Sequence, residues 1–192
     1  MSRDASCRSV REDFSTDRVI CRRPLLRDAY ESLRVYVAAS RGKGEGLFAK
    51  IALASGEVAA FYNGQRCSQN KRMRGSGFAS DAAAGIRLTH EVVDGRDWAE
   101  NSNTISLDDE TVLDVPLEYS RCDAYCATLG HKANHSSTPN ACYDVFDHPL
   151  YGVIKCVRAL QDIPPAHEIT VDYGFDGAHG FPDWWQQQPV VR

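Results

Sequence analysis

The chain has 192 residues, of which 43% are hydrophobic and 25% charged, so it is long enough for one globular domain with a real core. Outside residues 1–34 and 66–87, nine basic residues stand against nineteen acidic ones, a balance that argues against nucleic acid and suits a cationic partner such as a lysine-rich peptide. No apolar run is long enough to span a membrane. The seven irregularly spaced cysteines and the lack of an N-terminal signal segment predict a protein of the nucleus or cytoplasm that is not secreted.

The first third of the chain predicts two strands separated by a glycine-rich loop. Residues 1–24 lack periodicity and are predicted to be a flexible lead-in. VYVAA at 35–39 and EVAAFYNG at 57–64 read as strands, and the second ends in an Asn-Gly turn signal. RGKGEGLFAK, between them, is predicted to be a loop that runs into apolar residues. Residues 66–87 are basic, small and low in complexity, which predicts a mobile surface insertion.

The rest of the chain predicts short strands and one helix. LTHEVV, TISL and TVLDV read as strands, and the turn Asp108-Asp109-Glu110 joins the last two. LEYSRCDAYCATLG, at 117–130, is the best helix candidate. ACYDVF and GVIKCVRAL are predicted to form a hairpin, EITVDYGF closes the series, and residues 177–192 form an aromatic tail. This pattern of many short strands and few helices predicts an α+β fold that is mostly β.

One stretch, GHKANHSSTPN at 130–140, concentrates hydrogen-bonding groups and has several explanations. His131 and His135 are spaced as two metal ligands on a helix would be, although Gly130 and Pro139 argue that a helix ends here. Asn134 begins a glycosylation acceptor pattern, which would need a secreted chain. His135 could also activate Cys126 as a nucleophile, or the run could be a polar loop that caps the preceding helix. The residues alone leave these alternatives open.

Three alternating glycines, Gly42, Gly44 and Gly46, form a GxGxG pattern. This is not the dinucleotide-binding GxGxxG fingerprint, because no βαβ pattern surrounds it. Glycines at this spacing allow backbone N–H and C=O groups to approach a ligand closely, but they also occur in an ordinary turn.

The motifs GEGLFA, FYNG, LGHKANHSSTPNACYDVF and EITVDYG occur in the order and spacing of SET-domain protein lysine methyltransferases, and the chain resembles that family over about residues 25–188. Within the family it resembles the histone H3 lysine-4 mono-methyltransferases that carry MORN repeats ahead of the SET domain, here without the repeats. The resemblance implies a SET domain at 25–176, interrupted by the 66–87 insertion, with several small β-sheets and a C-terminal pseudoknot. The tail at 177–192 would complete the cofactor site.

The resemblance also implies the cofactor, S-adenosylmethionine, and a role for individual residues. No metal is implied. The residues expected to bind the cofactor are Lys43, Gly44, Glu45, Asn134, His135, Trp184 and Gln188. The tyrosines expected to build the lysine channel are Tyr62, Tyr143 and Tyr173, of which Tyr173 would lie nearest the transferred methyl group. The residues expected to line the peptide groove are His90, Asp94, Lys155 and Phe175.

A tyrosine at the position of Tyr143 goes with mono-methylation in this family, so one methyl group per lysine is predicted. The predicted substrates are the histone H3 tail and other lysine-containing proteins; neither nucleic acid nor a membrane is an expected partner, and no oligomeric state is indicated. Three departures qualify the resemblance: Phe175 where the related enzymes have a second channel tyrosine, the 66–87 insertion, and Gln188 in place of an acid. A catalytically silent SET module that binds peptides or partner proteins is therefore the alternative, with a cysteine hydrolase a distant third.

Overall fold

The computed structural model describes residues 20–21, 28–68, 86–87, 92–93, 103–115 and 128–174. Within these ranges the chain forms thirteen β-strands in small separate sheets, together with one short α-helix and one turn of 3₁₀ helix. The predicted mostly β, α+β fold is confirmed.

The helix α1 (Ala29–Arg34) begins at Asp28, whose side chain caps it. Asp28 Oδ1 accepts the backbone N–H groups of Tyr30 and Glu31 at 2.8 and 3.1 Å, satisfying donors that have no partner within the helix. This helix has only six residues, too few to show a helical period in the sequence, and it was not predicted.

The first sheet contains β2 (Val35–Ser40), β3 (Gly44–Ala49), β10 (Asn134–His135) and β13 (Glu168–Val171) in the order β10-β13-β3-β2. The strand at 35–39 is confirmed and extends to Ser40. The prediction of a long glycine loop is wrong, since β3 already begins at Gly44 and pairs along its whole length with β2. Only residues 41–43 turn the chain, and this tight reversal places Gly42 and Gly44 at φ 76°, which glycine adopts without steric cost.

The second sheet contains β4 (Val58–Tyr62), β11 (Ala141–His148) and β12 (Gly152–Ala159) in the order β11-β12-β4. The predicted hairpin is confirmed, because β11 and β12 pair in antiparallel register from Ala141↔Ala159 to His148↔Gly152. All five residues of β4 are buried, so this strand carries Tyr62 within the core of the protein.

The third sheet contains β5 (Gln65–Ser68), β7 (Val92–Val93), β8 (Thr104–Ser106) and β9 (Thr111–Asp114) in the order β7-β5-β9-β8. The predicted turn between β8 and β9 is confirmed: Asp108 Oδ1 accepts the N–H groups of Glu110 and Thr111. The Asn63-Gly64 signal does not make a hairpin, because β5 pairs with β9 and β7 instead of β4.

The two segments predicted to lack structure contain strands at their described ends. Arg66 and Cys67, at the start of the predicted insertion, are buried in β5, and Arg66 donates to the carbonyl oxygen of Val153 at 2.7 Å. At its other end β6 (Ile86–Arg87) pairs with β1 (Ile20–Cys21), which falls within the predicted lead-in. At these residues the predicted lead-in (1–24) and the predicted insertion (66–87) contain strand; the rest of both segments lies outside the described part of the chain, and their bounds stay predictions.

The predicted helix at 117–130 lies outside the described residues except for its last three, which precede and enter the 3₁₀ helix η1 (Gly130–Lys132). The buried apolar side chains form two clusters. The first includes Leu47, Leu129, Val157 and Ile169, and the second includes Phe61, Leu113 and Ile154. Tyr143 packs against both clusters. In the part of the chain that the structure describes, no helix is long and apolar enough to cross a membrane.

Candidate active site

The polar run at 130–140 lies where two distant parts of the chain run side by side. Strand β10 pairs in parallel with β13, with Asn134 opposite Thr170 and His135 opposite Val171. Beyond β10, Ser136 N–H continues the ladder to the Val171 carbonyl at 2.9 Å. A two-residue parallel pair leaves few backbone bonds to hold it, so side chains must supply the rest.

Asn140 supplies two of these bonds to β13. Its Nδ2 donates to the Glu168 carbonyl and its Oδ1 accepts the Thr170 N–H, both at 2.8 Å. Asn134 holds the other side, where its Nδ2 donates to the Glu45 carbonyl at 3.0 Å and to Glu168 Oε1 at 2.8 Å. Two asparagines of the run, Asn134 and Asn140, therefore join β10, β13 and β3.

His135 is 4% exposed and fixes the backbone of Tyr173. Its Nδ1 accepts the Tyr173 N–H at 3.1 Å, and the two rings meet edge to face at 5.4 Å. Burial lowers the pKa of His135, with the opposing charge of Asp172 raising it in part. Because Nδ1 acts as an acceptor, the neutral ring carries its proton on Nε2, and the 3.6 Å approach of Asp172 to Nδ1 is not a hydrogen bond.

The hydroxyl of Tyr173 donates to the carbonyl oxygen of Ala133 at 2.8 Å. Burial, assisted by the charge of Glu168, raises the pKa of Tyr173 to about 12. The phenol is therefore neutral at physiological pH, and it can orient polar groups but cannot act as a base. Since its backbone N–H is bound to His135, Tyr173 is fixed at both ends.

Tyr62 and Tyr143 form the second pair of aromatic rings. Their ring centroids lie 5.8 Å apart in an edge-to-face arrangement, and His131 lies 6.2 Å from Tyr62 on another side. The Tyr143 hydroxyl donates to the Gly130 carbonyl at 3.3 Å. Burial and the proximity of Tyr173 raise the pKa of Tyr143 well above its ordinary value, so this phenol also stays neutral.

The turn at residues 41–43 and the start of β3 contact the polar run through two lysine side chains, one from each side. Lys43 Nζ donates to the His135 carbonyl at 2.7 Å, and Lys132 Nζ forms an ion pair with Glu45 Oε2 at 2.6 Å. The structure therefore brings together Lys43, Glu45, Asn134 and His135, four of the residues that are predicted to bind the cofactor.

The three predicted channel tyrosines meet around η1. Lys155, predicted to line the peptide groove, lies on β12 directly opposite Tyr62 on β4. His90, Asp94, Phe175, Trp184 and Gln188 lie outside the described residues, so their predicted roles stay predictions.

Sequence reasoning missed several groups that shape this site. Glu31 is buried, and its carboxyl group accepts the backbone N–H groups of Phe61 and Leu129. The Gly130 and Ala133 carbonyls accept the hydroxyls of the predicted channel tyrosines. The spacing Asp28-x-x-Glu31, typical of a helix start, was the one signal available for Glu31. Backbone carbonyls have no signature in a sequence.

The histidine pair weighed as metal ligands does not share a helix face. His131 lies in η1 with its ring against Tyr62, whereas His135 lies in β10. Among the described residues no group of three or more histidine, cysteine, aspartate or glutamate side chains is placed to hold a metal ion.

The small sheets, the parallel β10–β13 pair and the tyrosines around η1 define a class of protein, and the sequence comparison identifies it. The SET domain family matches residues 44–174, which is most of the chain, so the chain belongs to the SET-domain family. The resemblance found in the sequence is thereby confirmed.

Among curated relatives, the histone-lysine N-methyltransferase SETD7 of Halocynthia roretzi is 42% identical over 190 residues. The match covers 94% of this chain but 44% of the relative, so the chain spans less than half of that protein's length. Among solved structures, a Plasmodium falciparum protein described as a candidate histone methyltransferase matches 76% of this chain and 96% of its own, with a TM-score of 0.44 and 16% identity.

Proposed function

We propose that this SET domain is a protein-lysine N-methyltransferase that transfers one methyl group to the ε-amine of a lysine in a basic peptide such as the histone H3 tail. The observation that carries the proposal is the placement of two tyrosine hydroxyls on neighbouring carbonyls. Tyr143 binds the Gly130 carbonyl and Tyr173 the Ala133 carbonyl, three residues further on. This puts neutral, oriented phenols beside a short run of backbone acceptors.

Such a site suits the needs of amine methylation. S-adenosylmethionine, the methyl donor of SET methyltransferases, supplies an electrophilic methyl group on a sulfonium. The protein must present the lysine as a neutral amine, which costs about 4.6 kcal/mol at pH 7 for a pKa of about 10.4. Buried aromatic surroundings lower the pKa of an amine by desolvation, and the same desolvation raises the pKa of the buried Tyr143 phenol.

The residues near β10 fit the chemistry of the proposed donor. Lys43 brings a cation that suits a carboxylate, and β10 offers backbone groups and the side chain of Asn134 beside the loop. Gly44 has open space around its α-carbon, where an added Cβ would meet nothing within 4 Å. We therefore assign Lys43, Gly44, Glu45, Asn134 and His135 to the cofactor, with Trp184 and Gln188 of the tail completing the set.

The channel limits the product. Tyr62 is 3% exposed and packs edge to face on Tyr143, so these rings occupy volume that a second methyl group would need. Tyr143 is also fixed by its bond to Gly130, which restrains it from turning aside. Transfer should stop after one methyl group.

The acidic balance of the chain favours a basic substrate segment. We assign Lys155, His90, Asp94 and Phe175 to the peptide side of the channel, with Asp94 meeting a basic residue that flanks the target lysine. A histone substrate would place the enzyme in the nucleus, and other lysine-containing proteins would be met there or in the cytoplasm.

The proposal is tested by measuring cofactor binding and methyl transfer on the same protein. Calorimetry gives the Kd for S-adenosylmethionine, and incorporation of labelled methyl into a histone H3 tail peptide gives the rate, with an otherwise identical peptide bearing arginine for lysine as control. We expect binding and lysine-dependent transfer, and loss of transfer with binding retained in Tyr173→Phe. Binding without transfer to this peptide or to a panel of lysine-rich peptides would refute the enzyme and identify a silent binding module.

A further inference from the structure

The Glu31 carboxyl group joins two segments of the channel that are far apart in sequence. Glu31 is 1% exposed, and its Oε1 accepts the backbone N–H of Phe61 at 2.6 Å and that of Leu129 at 2.9 Å. Phe61 immediately precedes Tyr62, and Leu129 immediately precedes Gly130. One oxygen atom therefore connects strand β4 to the start of η1.

The two segments joined by Glu31 are in direct contact at the channel. A Cβ on Gly130 would lie 2.6 Å from the Phe61 carbonyl oxygen and 2.9 Å from Tyr62 Cβ, so no side chain separates them. The Gly130 carbonyl in turn accepts the Tyr143 hydroxyl. A change in the separation of β4 and η1 must therefore move Tyr62 relative to Tyr143.

The surroundings of the second oxygen of Glu31, Oε2, bear on whether the carboxyl group is protonated. Oε2 is buried and has no hydrogen-bond partner within the described part of the chain. Burial raises the pKa of Glu31 to about 8, against the lowering effect of the two N–H bonds, and the nearby charge of Asp28 adds to the rise. The burial of Oε2 without a partner and the raised pKa both favour the protonated carboxyl group, with Oε1 as the acceptor, and glutamine reproduces this group in shape and in its acceptor.

We propose that Glu31 is a positioning residue for methyl transfer, whose carboxyl group sets the separation of Tyr62 from the Gly130 carbonyl and so the width of the lysine channel. The inference rests on the proposed function. It adds a residue of helix α1, outside the segments of the family motifs, to the machinery that decides rate and product number.

The test compares Glu31→Gln, which keeps the acceptor, with Glu31→Met, which keeps the volume but removes it. We expect the glutamine variant to transfer within about twofold of the parent rate, and the methionine variant to lose about 10- to 100-fold in kcat, as misplacement near 1 Å does. In Glu31→Met the peptide KM and the cofactor Kd should stay within about twofold, because the Glu31 side chain is 1% exposed and is not accessible to either ligand. Mass analysis should also show dimethylated peptide with this variant.

The outcomes separate this inference from the function on which it rests. An inactive parent protein would refute the proposed function, whereas an active parent with a methionine variant of equal kcat and unchanged product would refute only the role of Glu31. A methionine variant whose kcat falls only in proportion to its folded fraction, with product unchanged, would also refute it. If Glu31→Met does not fold, Glu31→Asp replaces it: the shortened side chain should reproduce the loss of kcat and the second methyl, and parent behaviour would overturn the proposal.

Discussion

Replacing Gly130 by alanine should damage the channel more than it damages the fold. The added Cβ would lie 2.6 Å from the Phe61 carbonyl oxygen, whereas ordinary contact begins at 3.4 Å, so β4 and η1 must separate by roughly 0.8 Å. The contacting atoms are backbone and a Cβ, which cannot rotate away. Overpacking of this kind costs about 1–3 kcal/mol of stability.

The same displacement acts directly on catalysis. Gly130 carries the carbonyl that accepts the Tyr143 hydroxyl, and the added Cβ would displace the carbonyl oxygen of Phe61, the residue before Tyr62. A misplacement near 1 Å costs up to about 100-fold in rate, so kcat should fall by about 10- to 100-fold. Denaturant unfolding gives the first quantity, and steady-state transfer to the histone H3 tail peptide gives the second.

Gly64→Ala is the matched control. Its Cβ would lie 2.6 Å from the Asp114 carbonyl oxygen, an equally severe clash with backbone, but the clashing atoms belong to β9 and not to η1 or to the residue before Tyr62. Both variants should lose similar stability, and Gly130→Ala should lose far more kcat. Equal losses of kcat in the two variants, or normal kcat in Gly130→Ala, would refute the reasoning that Gly130 sets the channel geometry.

Three further predictions follow from the same contacts. Burial raises the pKa of Glu31 from 4.5 to about 8, so the folded state holds this proton more tightly than the unfolded chain does. The contribution of this proton to the free energy of unfolding is complete below pH 4.5 and is lost as the pH rises to 8. The loss is at most about 1.4 kcal/mol per pH unit. Glu31→Gln removes this term, so denaturant unfolding should show it gaining on the parent by a few kcal/mol between pH 5 and 8, and parallel pH profiles would contradict the burial argument. Tyr143→Phe loses the bond to Gly130 and should yield dimethylated peptide by mass, while an unchanged mono-methyl product would show that Tyr143 does not limit it. Lys43→Met removes the Nζ donor to the His135 carbonyl and should weaken S-adenosylmethionine binding about 5- to 10-fold by calorimetry, with an unchanged Kd counting against its role.

Several of the strands and the family could be predicted from the sequence. The alternation in β11 and β12 predicts their hairpin, and the motifs around Asn134, His135 and Tyr173 were sufficient for the family. These features are local, so a short window of residues contains the whole signal. The polar run at 130–140 could be located in the same way, but its purpose could not.

The contacts that assemble the site were not accessible in this way. Glu31 and Leu129 are separated by 98 residues, and a buried glutamate reads in sequence as one more polar residue of a helix start. Arg66 was assigned to a basic insertion because its charge suggested the surface, whereas Arg66 is buried and its guanidinium donates to the Tyr151 and Val153 carbonyls of the β11–β12 hairpin. In both cases hydrogen bonds to residues that are distant in sequence offset the cost of burying a polar group, and composition does not show those residues.

The most direct test of the account is the number of methyl groups added to one lysine. The protein is incubated to completion with excess S-adenosylmethionine and a histone H3 tail peptide that has a single lysine, and the peptide is weighed by mass spectrometry. The account predicts one addition of about 14 Da that does not increase with time, because it assigns to the packed rings of Tyr62 and Tyr143 the volume that a second methyl group would need. A peptide of unchanged mass would contradict the proposed transfer, and a gain of about 28 Da would contradict the channel that limits it.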